Sequence, residues 1–358
     1  ETQLFYIDYL LTQRKVKGNG TPFDIENYEY DSFGNITKKI VIPNGETPRE
    51  INLEYDGTGR YLVTSIDLEG LETVYQYNTD RGVLLSETNP YGQQTTYEYD
   101  SWDRPTKITD YLGNEATTTY VESNNAYTIT NTADDGAEVV SIYDPLERLL
   151  TTKAKDVLGQ WVNTSYEYDK FDRPYKVSEP YIGNAPTQWN ETEFDVYSRP
   201  VKQTLHTGRE INITYNGLTT TVDDSVKTVT TTRDGLGNVL SSTDPGGTIN
   251  YTYYGNGNLK HSNYDGVIVS TEQDGWGRRT KMIDPSAGTY EYTYNGFGEV
   301  TKEITPKGET NYTYSTIGKL DQEVITGDNT NMTIQYNYNP VDKLLNAITL
   351  TSPDGNNA

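Results

Sequence analysis

The chain has no cysteine, two histidines and two methionines in 358 residues. Without cysteine there is no disulfide frame and no thiolate chemistry. His206 and His261 stand singly, with no H-E-x-x-H motif and no third partner, so no zinc centre and no catalytic triad is expected. Apolar residues are also scarce, at 33% of the chain. No apolar run reaches 18 residues, so no membrane-spanning segment is expected. Basic residues are outnumbered, 29 Lys and Arg against 52 Asp and Glu, for a formal net charge of −23. Phosphate backbones are bound by clustered Lys and Arg, and here these are scattered, which excludes nucleic acid as a partner. A strong negative field mainly keeps a protein soluble and apart from its copies. Glu1 begins inside a pattern with neither a basic nor an apolar leader, so any signal peptide is expected to be absent or already removed.

What the chain does have is tyrosine, 32 residues of it. Low hydrophobicity with high net charge suggests disorder, but disordered chains are poor in aromatics. The tyrosines are also ordered in sequence. Residues 97–120 set out the unit: Tyr97 and Tyr99 lead to Asp100, a tight turn closes near Arg104, and a second turn follows around Asp110 and Gly113. Copies include Tyr30-Asp31 with Gly34, Tyr55-Asp56 with Gly59, Tyr168-Asp169 with Arg173, Asp234 with Gly237, Tyr253-Tyr254 with Gly257, and Tyr294-Asn295 with Gly298. About 15 such units of roughly 20–26 residues fill the chain, the signature of a repeat architecture. Residues 1–27 are read as a degenerate first repeat or lead-in, and 28–358 as tandem repeats.

Each unit reads as two strands. In Ile249–Tyr253, residues 249, 251 and 253 share one face and polar residues take the other, the period of a β-strand. Asp or Asn opens a turn by bonding its own backbone, and Gly supplies positive φ. Proline at Asn89-Pro90, Asp244-Pro245 and Asp284-Pro285 ends the second strand. The segment Tyr9–Lys17 is the best helix candidate and suits a strand equally well. The fold class is therefore all-β: a long antiparallel sheet of hairpins. About 30 strands spaced ~4.8 Å apart make a ribbon of roughly 140 Å, and accumulated twist forces it to coil into a spiral or hollow barrel-like shell. A β-propeller is the alternative, since two units approach the ~40–45 residues of a blade.

The Y-x-Y-D-x-x-G-R unit followed by D-P-x-G turns resembles the YD repeat of the rearrangement-hotspot (RHS) proteins, over about residues 28–350. The resemblance implies a sheet spiralling into a hollow shell, as in bacterial polymorphic toxins, cocoon components of insecticidal toxin complexes, and teneurins. In the toxins the shell encloses a C-terminal cytotoxic segment. Such shells end in a plug with an autoproteolytic Asp-Pro-x-Gly site. Asp284-Pro285-Ser286-Ala287-Gly288 is only loosely similar and is read as an ordinary turn. Another repeat turn, Ser352-Pro353-Asp354-Gly355, comes last, so the chain is read as a segment of a longer protein.

No catalytic, metal-binding or cofactor-binding constellation emerges. The aspartates recur at one repeat position, where a turn is needed many times and a catalyst is not. Asn-rich loops such as Asn256-Gly257-Asn258 lack the spacing of a calcium loop. Arg60, Arg104, Arg148, Arg173, Arg199 and Arg278 keep a fixed offset from the tyrosine, which suggests a ladder of arginines bridging to carboxylates or stacking on aromatics. Trp102 and Trp276 take the turn position held elsewhere by Phe33, Phe171 and Phe297, which points to packing between repeats. Trp161 and Trp189 are off-pattern and are the candidates for stacking on a ligand such as a sugar. The expected function is a non-enzymatic scaffold of a secreted or surface bacterial protein, enclosing or carrying a cargo polypeptide. Its partners would be that cargo, further repeats of the same protein, carbohydrate or secretion machinery. The alternative is a cell-surface adhesin that binds carbohydrate or a protein.

Overall fold

The computed structural model describes residues 1–352 apart from 124 and 329; the last repeat turn, past Ser352, and the end of the 28–358 repeat region lie outside the described residues. Thirty-three strands form one antiparallel sheet, with no helix among the described residues. The helix candidate is a strand, Leu10–Val16, paired with Thr2–Ile7 across a two-residue turn. Asp8 and Tyr9 make that turn with φ of 49° and 70°, and Arg14 reaches Glu26 on the next strand at 2.9 Å. A continuous sheet in which strands pair with their chain neighbours is not a propeller, whose blades are separate sheets.

Contacts divide the chain into two compact units. The first comprises Glu1–Tyr77, Glu87–Gly92 and Asn250–Ala358, the second Asn78–Ser86 and Gln93–Ile249. Neither has an ordinary core. Among the described residues no apolar side chain is buried except Pro43. The buried side chains are polar: Ser86, Asp144, Asn163 and Ser178. A single layer of sheet leaves both faces partly wet, so stability has to come from cross-strand pairs. Tyr61 stacks on Tyr77 with ring centroids 4.9 Å apart, and Tyr127 lies 6.1 Å from Tyr143. Lys–Glu pairs bridge neighbouring strands at Lys38–Glu50 (2.9 Å), Lys202–Glu210 (2.6 Å) and Lys302–Glu309 (2.6 Å). Thr221 and Thr230 share a hydroxyl hydrogen bond of 3.1 Å.

The register slips at the same place in unit after unit, just before the turn aspartate. It does so between Glu29 and Tyr30, Glu54 and Tyr55, Glu167 and Tyr168, and Thr293 and Tyr294. Each slip is a β-bulge, which leaves one residue of the partner strand unpaired and adds right-handed twist. Repeated in unit after unit, it bends and twists the strands locally in the same sense. Within the first unit distant repeats meet: Arg49 reaches Glu299, 250 residues on.

The fourth turn position requires a left-handed backbone. Gly34 and Gly237 fill it with φ of 90° and 91°, but Glu147 and Ser198 hold the same conformation at 61° and 63°. A side chain there costs roughly 1–2 kcal/mol, partly offset by the ordering entropy that glycine would add. Glu147 is exposed and makes no ion pair among the described residues. Glu147→Gly is therefore expected to stabilise the chain by up to roughly 1 kcal/mol, seen as a raised midpoint in thermal melting; a lowered midpoint would count against the strain.

Candidate functional site

The repeat aspartate divides its two oxygens between backbone and side chain. In Asp100, Oδ1 accepts from the backbone N–H of Trp102 (2.8 Å) and Arg104 (3.0 Å), while Oδ2 accepts from Arg104 Nε (2.7 Å). Asp169 repeats this with Phe171 (2.8 Å), Arg173 N–H (3.1 Å) and Arg173 Nε (2.8 Å). Where asparagine replaces arginine the pattern survives: Asn35 Nδ2 donates to Asp31 Oδ2 (3.0 Å) and Asn238 Nδ2 to Asp234 Oδ2 (2.9 Å).

Held this way, each arginine lies over the aromatic of the following unit. Arg104 sits 4.3 Å from the ring centroid of Tyr120, Arg173 4.5 Å from Phe194, Arg199 4.2 Å from Tyr215 and Arg278 4.8 Å from Tyr294. The tyrosine then bonds back: Tyr120 OH donates to the carbonyl of Pro105 (3.0 Å), Tyr168 OH to Leu149 (2.9 Å), Tyr294 OH to Arg279 (2.7 Å) and Tyr30 OH to Leu11 (2.7 Å). So the arginines both bridge and stack. Arg60 is the exception. Its turn is one residue longer, with Asp56 N–H donating to Tyr61 O at 2.9 Å. Arg60 is left exposed, and Tyr61 takes the stacking position over Tyr77. Tyr97, Tyr99, Tyr55 and Tyr253 are half-buried strand residues, while Gly59 lies against the Phe33 ring and Gly298 against Arg278.

The ladder recurs turn by turn, and where two aspartates approach, as Asp144 and Asp172 do, they share Arg148 at 2.6 Å each. Among the described residues no group of three His, Asp or Glu is placed to hold a metal ion. His206 Nδ1 lies 3.2 Å from Glu179, and His261 Nδ1 is enclosed without a partner among the described residues.

In the first unit this rim meets the opposite rim of earlier repeats. Arg49 makes a two-pronged ion pair with Glu299 (2.7 and 3.1 Å) and lies 3.5 Å from the centroid of Phe297. Glu46 accepts from the Gly296 N–H (3.0 Å), Lys319 pairs with Glu69 (2.8 Å), and Asn19 N–H donates to Gly275 O (2.8 Å). Gly18 and Gly275 are glycines for a steric reason: a Cβ on either would fall about 2 Å from the opposite backbone. Burial opposes ionisation of Glu299, yet Arg49 and Asn295 outweigh it and hold its carboxyl below the usual range. Trp276 and Phe297 are half-buried, whereas Trp102 is 79% exposed, so the packing role expected for Trp102 is not filled within the described residues.

The two off-pattern tryptophans flank an insertion in the repeat plan. Strand Trp161–Tyr168 pairs with Pro174–Ser178 through Tyr166–Tyr168, but with the two-residue strand Tyr181–Ile182 through Val162 and Asn163. The loop carrying Tyr181 wedges the sheet open, and strand Trp189–Phe194 resumes the pattern. Trp161 is half-buried beside an open groove of about 620 Å³, with the Lys155 ammonium 5.3 Å from its ring. Trp189 is half-buried with Lys176 at 5.4 Å and does not line that groove.

Two results are expected from the ladder. Arg173→Ala removes a carboxylate bridge and a stacking contact, and should lower the melting midpoint by roughly 2 °C, with Arg173→Lys between it and the parent; an unchanged midpoint would remove the ladder from the stability account. Acid should act on rungs such as those of Asp169 and Asp234. Arg173 holds the Asp169 carboxyl below its usual range, with backbone N–H groups adding to the effect, and Asn238 does the same for Asp234. A carboxyl depressed in the folded state contributes stability above its unfolded pKa and loses it as pH falls through the folded value. Stability should hold down to about pH 5 and fall steeply below about pH 4. At the other end, burial and the Glu26 acceptor push Tyr28 up to about 12, and the hydrogen bond to Glu323 does so for Tyr336. Their contribution should persist to about pH 10 and be lost toward 12. Denaturant midpoints measured across pH check both limbs.

The RHS repeat family model matches residues 79–115 and 253–310. No curated relative matches the chain. Solved structures do. The crystal structure of TcdB2-TccC3 aligns with a TM-score of 0.56 at 14% identity, over 92% of this chain and 20% of that one. A Photorhabdus luminescens Tc holotoxin pore carrying a TccC3 mutation aligns at 0.57 and 13%, over 99% and 23%. The TcdB2-TccC3-Cdc42 structure aligns at 0.56 and 12%, over 96% and 24%. At these identities the likeness is one of fold, and the chain spans about a fifth to a quarter of those chains. The chain thus carries RHS repeats over residues 79–115 and 253–310, and its antiparallel sheet shares the fold of these solved structures.

Proposed function

We propose that this chain is a length of container wall: a non-enzymatic RHS scaffold of a secreted or surface bacterial protein, whose sheet encloses or carries a cargo polypeptide. The observation that carries the reading is the rim-to-rim seam of the first unit. Ion pairs, backbone hydrogen bonds and glycine contacts seal repeats 250 residues apart, which is what a wall needs and a free binding module does not. A single-layer sheet with no apolar core encloses space economically. The repeat aspartates are occupied by bonds that shape their own turns, as Asp100 and Asp169 are.

Further repeats of the same protein are the first partners this reading calls for. In the second unit the turn tips that correspond to Trp276 and Phe297 are open: Trp102, Leu146, Phe171, Tyr197 and Leu236, from 64% to 87% exposed. Each would be covered as Phe297 is, by the opposite rim of another course of repeats. Cargo and secretion machinery would complete the set of partners.

Limited proteolysis of the complete parent protein tests the proposal. A segment C-terminal to the repeats should resist protease while the wall is intact. In Arg49→Ala/Glu299→Ala, with the seam cut, it should be cleaved at least several-fold faster. Equal cleavage of that segment with and without the repeat region would sink the container reading.

A further inference from the structure

Five asparagines of this chain precede a glycine: Asn19, Asn44, Asn216, Asn256 and Asn295. Such a pair can modify itself. The glycine nitrogen, unhindered by a side chain, attacks the asparagine side-chain carbonyl. A carbon–nitrogen bond forms, ammonia leaves, and water opens the resulting cyclic imide at either carbonyl. The products are aspartate, or isoaspartate with the backbone rerouted through one extra methylene. The reaction needs the glycine N–H free of a hydrogen bond and the side-chain amide free to swing toward it.

The five sites divide on those two requirements. At Asn19, Asn44 and Asn216 both residues of the pair are exposed. Neither the side-chain amide nor the glycine N–H has a hydrogen bond there among the described residues. Asn256 is held by its own neighbourhood: Gly257 N–H donates to Tyr254 O (2.9 Å) and Asn256 Nδ2 to Gln273 (3.2 Å). Asn295 is held from across the seam. Its Nδ2 donates to Glu299 Oε2 (2.6 Å) and its Oδ1 accepts from the Glu299 N–H (3.0 Å). Glu299 is in turn fixed by Arg49 (2.7 and 3.1 Å). The nucleophile itself, the Gly296 N–H, donates to Glu46 Oε1 at 3.0 Å, 250 residues away. Pro43 and Glu46 also cover the glycine, each 2.7 Å from where a Cβ on it would stand.

We infer that Asn295–Gly296 is a deamidation site that the closed seam holds shut and that reacts once the seam parts. Parting the rims releases the Gly296 nitrogen from Glu46 and leaves Glu299 without Arg49. The products then oppose reclosure. Aspartate would replace the Nδ2 donor by an anionic oxygen facing the Glu299 carboxylate, and like charges that close repel. Isoaspartate lengthens the turn backbone and carries Gly296 off Glu46. An opened seam is therefore marked covalently. The site rests on the seam alone and is independent of whether the sheet encloses cargo.

The test is incubation of the whole chain in mildly alkaline buffer, with deamidation and isoaspartate followed at each Asn–Gly pair by peptide mass spectrometry. In the parent, Asn44 and Asn216 should convert at least roughly tenfold faster than Asn295, because a charge-assisted hydrogen bond must break before Gly296 can react. Glu46→Ala/Arg49→Ala should raise the Asn295 rate roughly tenfold and leave Asn256 as it was. Glu46→Gln, which keeps the acceptor, should stay near the parent. Asn295→Asp, the direct product, should melt below the parent near neutral pH. Asn295 converting as fast as Asn216 in the parent, no acceleration in the double variant, or equal acceleration at Asn256 would each overturn the assignment. An unchanged midpoint in Asn295→Asp would overturn the block on reclosure.

Discussion

Everything in this sheet hangs on how one carboxylate is shared. The repeat aspartate gives one oxygen to the backbone of its own turn and the other to the side chain four residues on. The first bond sets the turn. The second aims the arginine, which would otherwise sample many rotamers, at the aromatic of the next unit. That aromatic returns a hydroxyl bond to the strand the arginine precedes. The closed circuit, as in Asp100–Arg104–Tyr120–Pro105, joins consecutive units by three kinds of contact, none of which needs a buried apolar group. Charged and aromatic partners at the surface are individually weak. Their strength here is in recurrence, since a repeat array sums nearest-neighbour terms.

Much of this was legible in the sequence because the code is local. Tyr99, Asp100 and Arg104 sit within six residues, and alternation along strands such as Ile249–Tyr253 fixes which face is which. The bulges before Tyr30, Tyr55, Tyr168 and Tyr294 were not legible. A register slip is a property of two strands, and neither sequence alone carries a mark of it. The seam was hidden for the same reason: nothing near Arg49 announces Glu299. Arg60 shows how a local rule fails. It satisfies the motif, yet one added turn residue moves it off the ladder and lets Tyr61 stand in. Trp161 and Trp189 stood out as off-pattern; the insertion that explains them is visible only as a strand pairing with two partners.

Functional variation in such a wall is confined to its rims and interruptions. Strand residues are committed to cross-strand pairs and turn residues to the carboxylate circuit. What remains free is the tip of each turn and the occasional loop that departs from the plan. The second unit shows both, in its row of exposed apolar tips and in the Tyr181 insertion. A protein with no core can vary at these places without a packing penalty, because no cavity is left when a surface side chain changes.

The seam has an arithmetic of its own. Arg49 meets Glu299, and Glu46 meets Gly296, at the same separation of 250 residues. That offset is a count of repeats as much as a distance. Gaining or losing one unit of roughly 20–26 residues between them would slide every later turn one place along the earlier rim, setting Gly18 and Gly275 against side chains that cannot fit. Single residues between the two rims can change without moving this seam, but a change in the number of units between them would break it.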